Sequence, residues 1–124
     1  LTVSFNGVAA VSGNLAWAVG SGGVICRYNG TAWEAVDTGT TVDFNAVAFL
    51  NANLGFAVGA RGTICRYNGT AWVPLNTGTT GTFRNVAIVD ASTIYASGDN
   101  GLFCVSRDGG DTWEEISRNP GLPK

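Results

Sequence analysis

The sequence predicts an all-β fold, a β-propeller built of four-stranded antiparallel blades, three blades in this chain. Three observations carry that expectation. First, Cys26, Cys65 and Cys104 follow one another at steps of 39 residues. The same step links Phe5, Phe44 and Phe83, then Val8, Val47 and Val86, then Trp17, Phe56 and Tyr95. It also links Gly20, Gly59 and Gly98, and Gly23, Gly62 and Gly101, with no gap between copies. A period near 40 residues marks a repeat architecture, which usually presents binding surfaces rather than a single catalytic centre. Second, each copy breaks into four short apolar runs separated by turn formers. Third, both faces of the runs are apolar, one bulky and one small.

The second copy shows the elements in order. FNAVAFL, from Phe44, is an apolar run rich in β-formers and ends at Asn51-Ala52-Asn53. LGFAVG follows and ends at Ala60-Arg61-Gly62. TICRYN is the third run, broken by Gly69 and Thr70, and AWVPL is the fourth, closed by Asn76-Thr77-Gly78. Short runs bounded by Gly, Asn or Asp read as strands joined by hairpins. In the third copy Asp99-Asn100-Gly101 occupies the second break, a tight-turn signal because Asn and Gly tolerate positive φ. No segment of useful length has helical periodicity.

The faces say how the sheets pack. Trp17, Phe56 and Tyr95 point one way from the second strand, and Ala18, Ala57 and Ala96 the other. Val8, Val47 and Val86 share one face of the first strand, and Ala9, Ala48 and Ala87 the opposite one. A sheet with solvent on one side would alternate apolar with polar. These sheets are therefore expected to stack, large residues of one copy against small residues of the next. At this repeat length that describes a propeller, with a stacked-sheet solenoid as the competing architecture. Residues 1–124 form a single three-blade unit, with blades at about 5–43, 44–82 and 83–117.

Three blades do not close a ring. The open ends are expected to show Val8, Ala9, Trp17 and Ala18 at one side and Val86, Ile94 and Tyr95 at the other. Apolar faces of that size are a liability on a soluble monomer. Either further blades of a longer chain cover them, or other copies of the chain complete a head-to-tail ring, with a six-bladed dimer preferred over a nine-bladed trimer. Leu1-Thr2-Val3-Ser4 aligns with the inter-blade link Thr40-Thr41-Val42-Asp43, so whole blades can meet without a swapped strand.

Ser106-Arg107-Asp108-Gly109-Gly110-Asp111-Thr112-Trp113 fits the pattern S-x-D-x-G-x-T-W. It resembles the Asp-box, or bacterial neuraminidase repeat. Tyr28–Trp33 and Tyr67–Trp72 are shortened forms without the Asp. The stretch Gly55–Arg66 is similar to blades of the photosystem II stability/assembly-factor-like propellers. The resemblance runs from Phe5 to Ile116 and implies a propeller, with Ser106, Asp108, Gly110, Thr112 and Trp113 as a structural turn on the rim. Trp33 and Trp72 are expected in the cores of their own blades. For function the family is diverse, spanning sialidases, other glycosidases and assembly factors.

Charge and composition narrow the classes. The net charge is −2 and the sequence pI about 4.8. Arg27, Arg61, Arg66, Arg84, Arg107 and Arg118 are scattered, with Lys124 at the end, so nucleic acid is not an expected partner. No apolar run approaches the length of a membrane span. The chain has no His, which removes imidazole from any metal site or general-base role. The three cysteines read as buried free thiols, because equivalent positions in adjacent blades stand too far apart for a disulfide. No metal and no cofactor are expected.

A glycosidase needs two placed carboxylates, one with a raised pKa. The nine acids fall mostly in turns or on fourth strands, and only Asp43 and Asp90 flank a first strand. No catalytic residues are therefore assigned. Asn6, Asn45 and Arg84 occupy one repeat position beside the first strands and are candidates to line the pore. Asn29-Gly30-Thr31 and Asn68-Gly69-Thr70 read as turns, or as glycan acceptors in a glycosylating secretory pathway. The expected function is a non-enzymatic scaffold for protein–protein interaction or assembly. The alternative is a carbohydrate-binding, lectin-like or glycosidase-related propeller fragment. The family resemblance favours an exported location, with the cytoplasm as the other option.

Overall fold

Strand formation follows the repeat. In the computed structural model, which describes residues 3–116, the first copy gives β1 (Phe5–Ser12), β2 (Leu15–Gly20), β3 (Ile25–Tyr28) and β4 (Trp33–Val36). The second gives β5 (Phe44–Asn51), β6 (Leu54–Gly59), β7 (Ile64–Tyr67) and β8 (Trp72–Leu75). The third gives β9 (Phe83–Ile88), β10 (Ile94–Gly98), β11 (Phe103–Ser106) and β12 (Glu114–Glu115). Each set of four pairs in chain order as one antiparallel sheet. The chain is thus an all-β array of three blades, as its period implies. The expected end of the last blade at residue 117 lies outside the described residues.

Between the second and third strands of each blade runs a single 3-10 turn: Ser21–Gly23, Ala60–Gly62 and Asp99–Gly101. The turn backbone docks on the residue that leads into the blade. Ser21, Ala60 and Asp99 donate their N–H groups to the carbonyls of Ser4, Asp43 and Thr82 at 3.0 Å each. This contact explains the repeated glycine just before each turn. A Cβ on Gly20, Gly59 or Gly98 would stand 2.2, 2.1 or 1.9 Å from those same carbonyl oxygens.

Packing between blades follows a large-into-small rule. The first interface buries Trp17, Val19 and Ile25 of blade one against Phe44, Ala57, Cys65, Tyr67 and Trp72 of blade two. The second buries Phe56, Val58 and Ile64 of blade two against Phe83, Val86, Ala96 and Cys104 of blade three. Each large side chain removed from water contributes about 1.5–3 kcal/mol. Trp17 stacks on Phe49 and meets Trp72 edge-on, with ring centroids 5.1 and 5.5 Å apart. The three cysteines are free and buried.

Two expectations about the faces need correction. Trp17 belongs to the covered side of blade one, and Val86 and Ile94 to the covered side of blade three. The pairing explains why: Trp17 lies opposite Ala9 and Arg27, whereas Val8 lies opposite Ala18, which pairs with Cys26. The open face of blade one is therefore the small one, with Val8 and Ala18. The other face of blade three is the bulky one, with Tyr95, Ser97 and Phe103 partly buried. The second correction concerns the tryptophans. Trp72 packs with Phe49 and Tyr67 of its own blade and Trp17 of blade one, and Trp33 is half exposed.

Candidate functional site

The first strands share a defect that positions the site. Phe5 pairs with Gly20 and Gly7 with Val19, so Asn6 is an extra residue in the strand. Asn45 is extra in β5 and Arg84 in β9, by the same shift. A β-bulge re-aims the side chain it carries. Asn6 Nδ2 donates to the Phe44 carbonyl at 2.9 Å, and Asn45 Nδ2 to the Phe83 carbonyl at 2.8 Å. Each asparagine therefore bridges its blade to the next. Arg84 instead forms a two-pronged pair with Asp99, Nε to Oδ1 at 3.0 Å and Nη2 to Oδ2 at 3.1 Å. That pair lowers the Asp99 pKa from its ordinary value, chiefly through the hydrogen bond from Arg84.

The sequence had offered Asn6, Asn45 and Arg84 as one polar trio. The structure places them together along the leading edge of the blades, but gives the two asparagines a bridging bond that spacing alone did not reveal. The same end of the array carries the three 3-10 turns. Arg61 and Asn100 sit there with φ of 60° each, left-handed backbone that non-glycine residues rarely adopt. Gly22 takes that conformation in blade one, and its N–H donates at 2.8 Å to Oδ1 of Asp43, the residue that leads into the following blade. Arg61, Asp99 and Asn100 are exposed. The result is an end surface of mixed charge: two arginines, two aspartates and several amides, without a buried acid or base.

At the opposite end lies the Ser106–Trp113 turn. Asp108 Oδ1 accepts from the Ser106 hydroxyl at 2.8 Å and from the Thr112 N–H at 2.9 Å. The Thr112 hydroxyl donates to Oδ2. Bonds from Thr112, side chain first and backbone next, together with Ser106, hold the Asp108 carboxyl down to about 2. Trp113 Nε1 donates to the Gly110 carbonyl at 3.0 Å. Arg66 of blade two donates from Nη1 to the Gly109 carbonyl at 2.7 Å and to Asp111 Oδ1 at 3.0 Å. The turn thus clamps blade three onto blade two, a link that no repeat-equivalent spacing could show. In the shorter turns Asn29 Oδ1 accepts from the N–H groups of Thr31 and Ala32, and Asn68 Oδ1 from those of Thr70 and Ala71.

Among the described residues no group of three or more Cys, Asp and Glu stands close enough to hold a metal ion. The resolved carboxylate shifts, at Asp90, Asp99 and Asp108, all run downward. Asp90 is held down first by the Ser92 N–H and next by that of Thr93. Hydrogen bonds to the ionised form favour it, so these groups are suited to holding turns rather than delivering protons.

No family model matches the chain, and no curated protein matches it. Solved structures do. One is YCF48 bound to D1 peptide, with a TM-score of 0.79 and 19% identity, covering 93% of this chain and 41% of that one. Another is YCF48 from Cyanidioschyzon merolae, with a TM-score of 0.76 and 16% identity, covering 98% of this chain and 44% of that one. The shared feature is the β-propeller fold. The chain spans less than half the length of these neighbours.

Proposed function

We propose that this propeller unit binds other proteins by holding an extended peptide segment against its polar end surface. The fold shared with YCF48 bound to D1 peptide is the observation that carries the reading. It is an analogy at the level of fold, so residues of this chain must bear the weight. The surface formed by Arg61, Arg84, Asp99 and Asn100 supports it. It presents both donors and acceptors, the groups that the backbone of an extended peptide needs. Arg61 holds a strained left-handed conformation on that surface, and such strain gathers at binding sites. The Ser106–Trp113 turn, which we read as an Asp-box, lies at the opposite end and acts as a clamp between blades.

A displayed peptide library selected against the whole chain tests the proposal. Peptides should be enriched, and Arg84→Ala with Arg61→Ala should lose them while far-ultraviolet dichroism stays unchanged. A library that yields no binder overturns the reading. So does a glycan array that retains the chain while the peptides do not, which would favour the carbohydrate-binding alternative.

A further inference from the structure

The three equivalent turns at the polar end differ in one chemical respect: two of them hold a carboxylate, and the middle one does not. In blade one the Gly22 N–H donates to Asp43 Oδ1 at 2.8 Å. In blade three the turn begins with its own acid, Asp99, which takes both prongs of Arg84 at 3.0 and 3.1 Å. In blade two both of those positions are neutral. Ala60 stands where Asp99 does, and Thr82 leads into blade three as Asp43 leads into blade two, each by the same step along the sequence. What the middle turn carries instead is Arg61, in the place of Gly22 and Asn100.

Arg61 is a cation without an acid. Arg27, Arg66, Arg84 and Arg107 pair with Glu34, Asp111, Asp99 and Glu114 in turn. Among the described residues no carboxylate pairs with Arg61, and the residue is exposed. Its φ of 60° equals that of Asn100 and lies close to the 71° of Gly22, so the three turns share one shape. The amide that meets a carboxylate in blade one is therefore repeated in blade two, now beside a guanidinium. Arg61 also borders a hollow of about 460 Å³, reached by Thr40 of the link before blade two and by Thr77, Thr79 and Thr80 of the link after it. That hollow belongs to the middle blade, which has a neighbour packed on each side.

We propose that the Arg61 turn binds a carboxylate of the partner segment, carried by an acidic side chain or by a free C-terminus. The carboxylate takes at blade two the place that Asp43 fills at blade one. A planar guanidinium grips a carboxylate through two parallel bonds, and such charge-assisted bonds are stronger than neutral ones. The chain holds a pair of that form one blade away, between Arg84 and Asp99. The hollow beside Arg61 gives the rest of the segment room to lie. The site follows from the three turns alone; that a peptide brings the carboxylate rests on the peptide-binding proposal.

Two small probes test it: N-acetyl-aspartic acid amide, whose acid is a side chain, and N-acetyl-alanine, whose acid is a chain end. Each is titrated into the isotope-labelled chain at an ionic strength fixed with chloride, and backbone amides are followed by NMR. The Arg61 amide should move saturably, and those of Gly22 and Asn100 far less. The probe that binds more tightly identifies the source of the carboxylate. Arg61→Gly suits the left-handed backbone, so it keeps the fold, and should weaken binding about tenfold or more, the loss of a charge-assisted contact. Thr82→Asp gives blade two the acid that Asp43 gives blade one. It should abolish probe binding and move the Arg61 amide in the direction that the probe does. No saturable movement of Arg61 with either probe overturns the proposal, as does binding that both variants leave unchanged. If a probe binds while the displayed library yields no peptide, the carboxylate site stands and the peptide-binding proposal falls. If selected peptides bind equally well once their carboxylates are converted to amides, peptide binding stands and the carboxylate site falls.

Discussion

Asp108 shows how much one carboxylate in a turn can do. It accepts from the Ser106 hydroxyl and from both donors of Thr112, and these bonds hold its pKa at about 2. A carboxylate depressed in the folded state stabilises that state above its unfolded pKa near 4 and loses the contribution as pH falls toward 2. Asp90, also shifted down, acts in the same direction. Asp108→Ala should therefore lower the melting temperature by a few degrees at neutral pH. It should also flatten the fall of melting temperature on acidification, while the slope owed to Asp90 and Asp99 remains. Melting curves collected across the acid range check this; an unchanged slope counts against the role given to Asp108. The thiols make a second residue-scale case. Burial pushes Cys65 up to about 11, and burial followed by the charge of Glu115 does so for Cys104. Thiolate is the reactive form. Both should resist alkylation at mildly alkaline pH and react together once denaturant is added. Early labelling of either would refute their burial.

At the scale of strands and turns, much of the fold was legible because every copy repeats the same compromise between strand and turn formers. The breaks at Asn51–Asn53 and Ala60–Gly62 and the small-against-large faces follow from single residues and their immediate neighbours. What was hidden depended on a partner element. Trp33 and Trp72 share a sequence motif, yet only Trp72 has a preceding blade to cover it. The bulge at Asn6 and the Phe44 carbonyl it reaches were also hidden, because spacing shows neither. Arg66 grips the Ser106–Trp113 turn only because that turn is two residues longer than its counterparts. The link between blades offers an element-scale test. Thr77 donates its hydroxyl to the Gly62 carbonyl at 2.7 Å, drawing the link across the turn. A Cβ on Gly62 would lie 1.9 Å from the Thr79 carbonyl oxygen, whereas one on Gly101 meets nothing within 4 Å among the described residues. Both glycines have positive φ. Gly101→Ala should therefore cost about 1–2 kcal/mol, the strain of left-handed backbone alone. Gly62→Ala should cost severalfold more, because the link itself must move. Chemical denaturation of the two variants separates these terms, and equal losses would show that the link is not held there.

For the molecule as a whole, stability in a stacked array is close to a sum of blade terms and contacts between neighbours. The middle blade has two such contacts and each end blade has one. Its strands β6 and β7 are buried along nearly all their length, whereas β1 is exposed at every other residue and β12 throughout. Local opening free energies follow covered surface, from near zero at frayed edges to the global value in the core. Amide hydrogen exchange should therefore be slowest in β6 and β7 and fastest in β4 and β12. Uniform exchange across the three blades would show that the end blades are no less stable than the middle one.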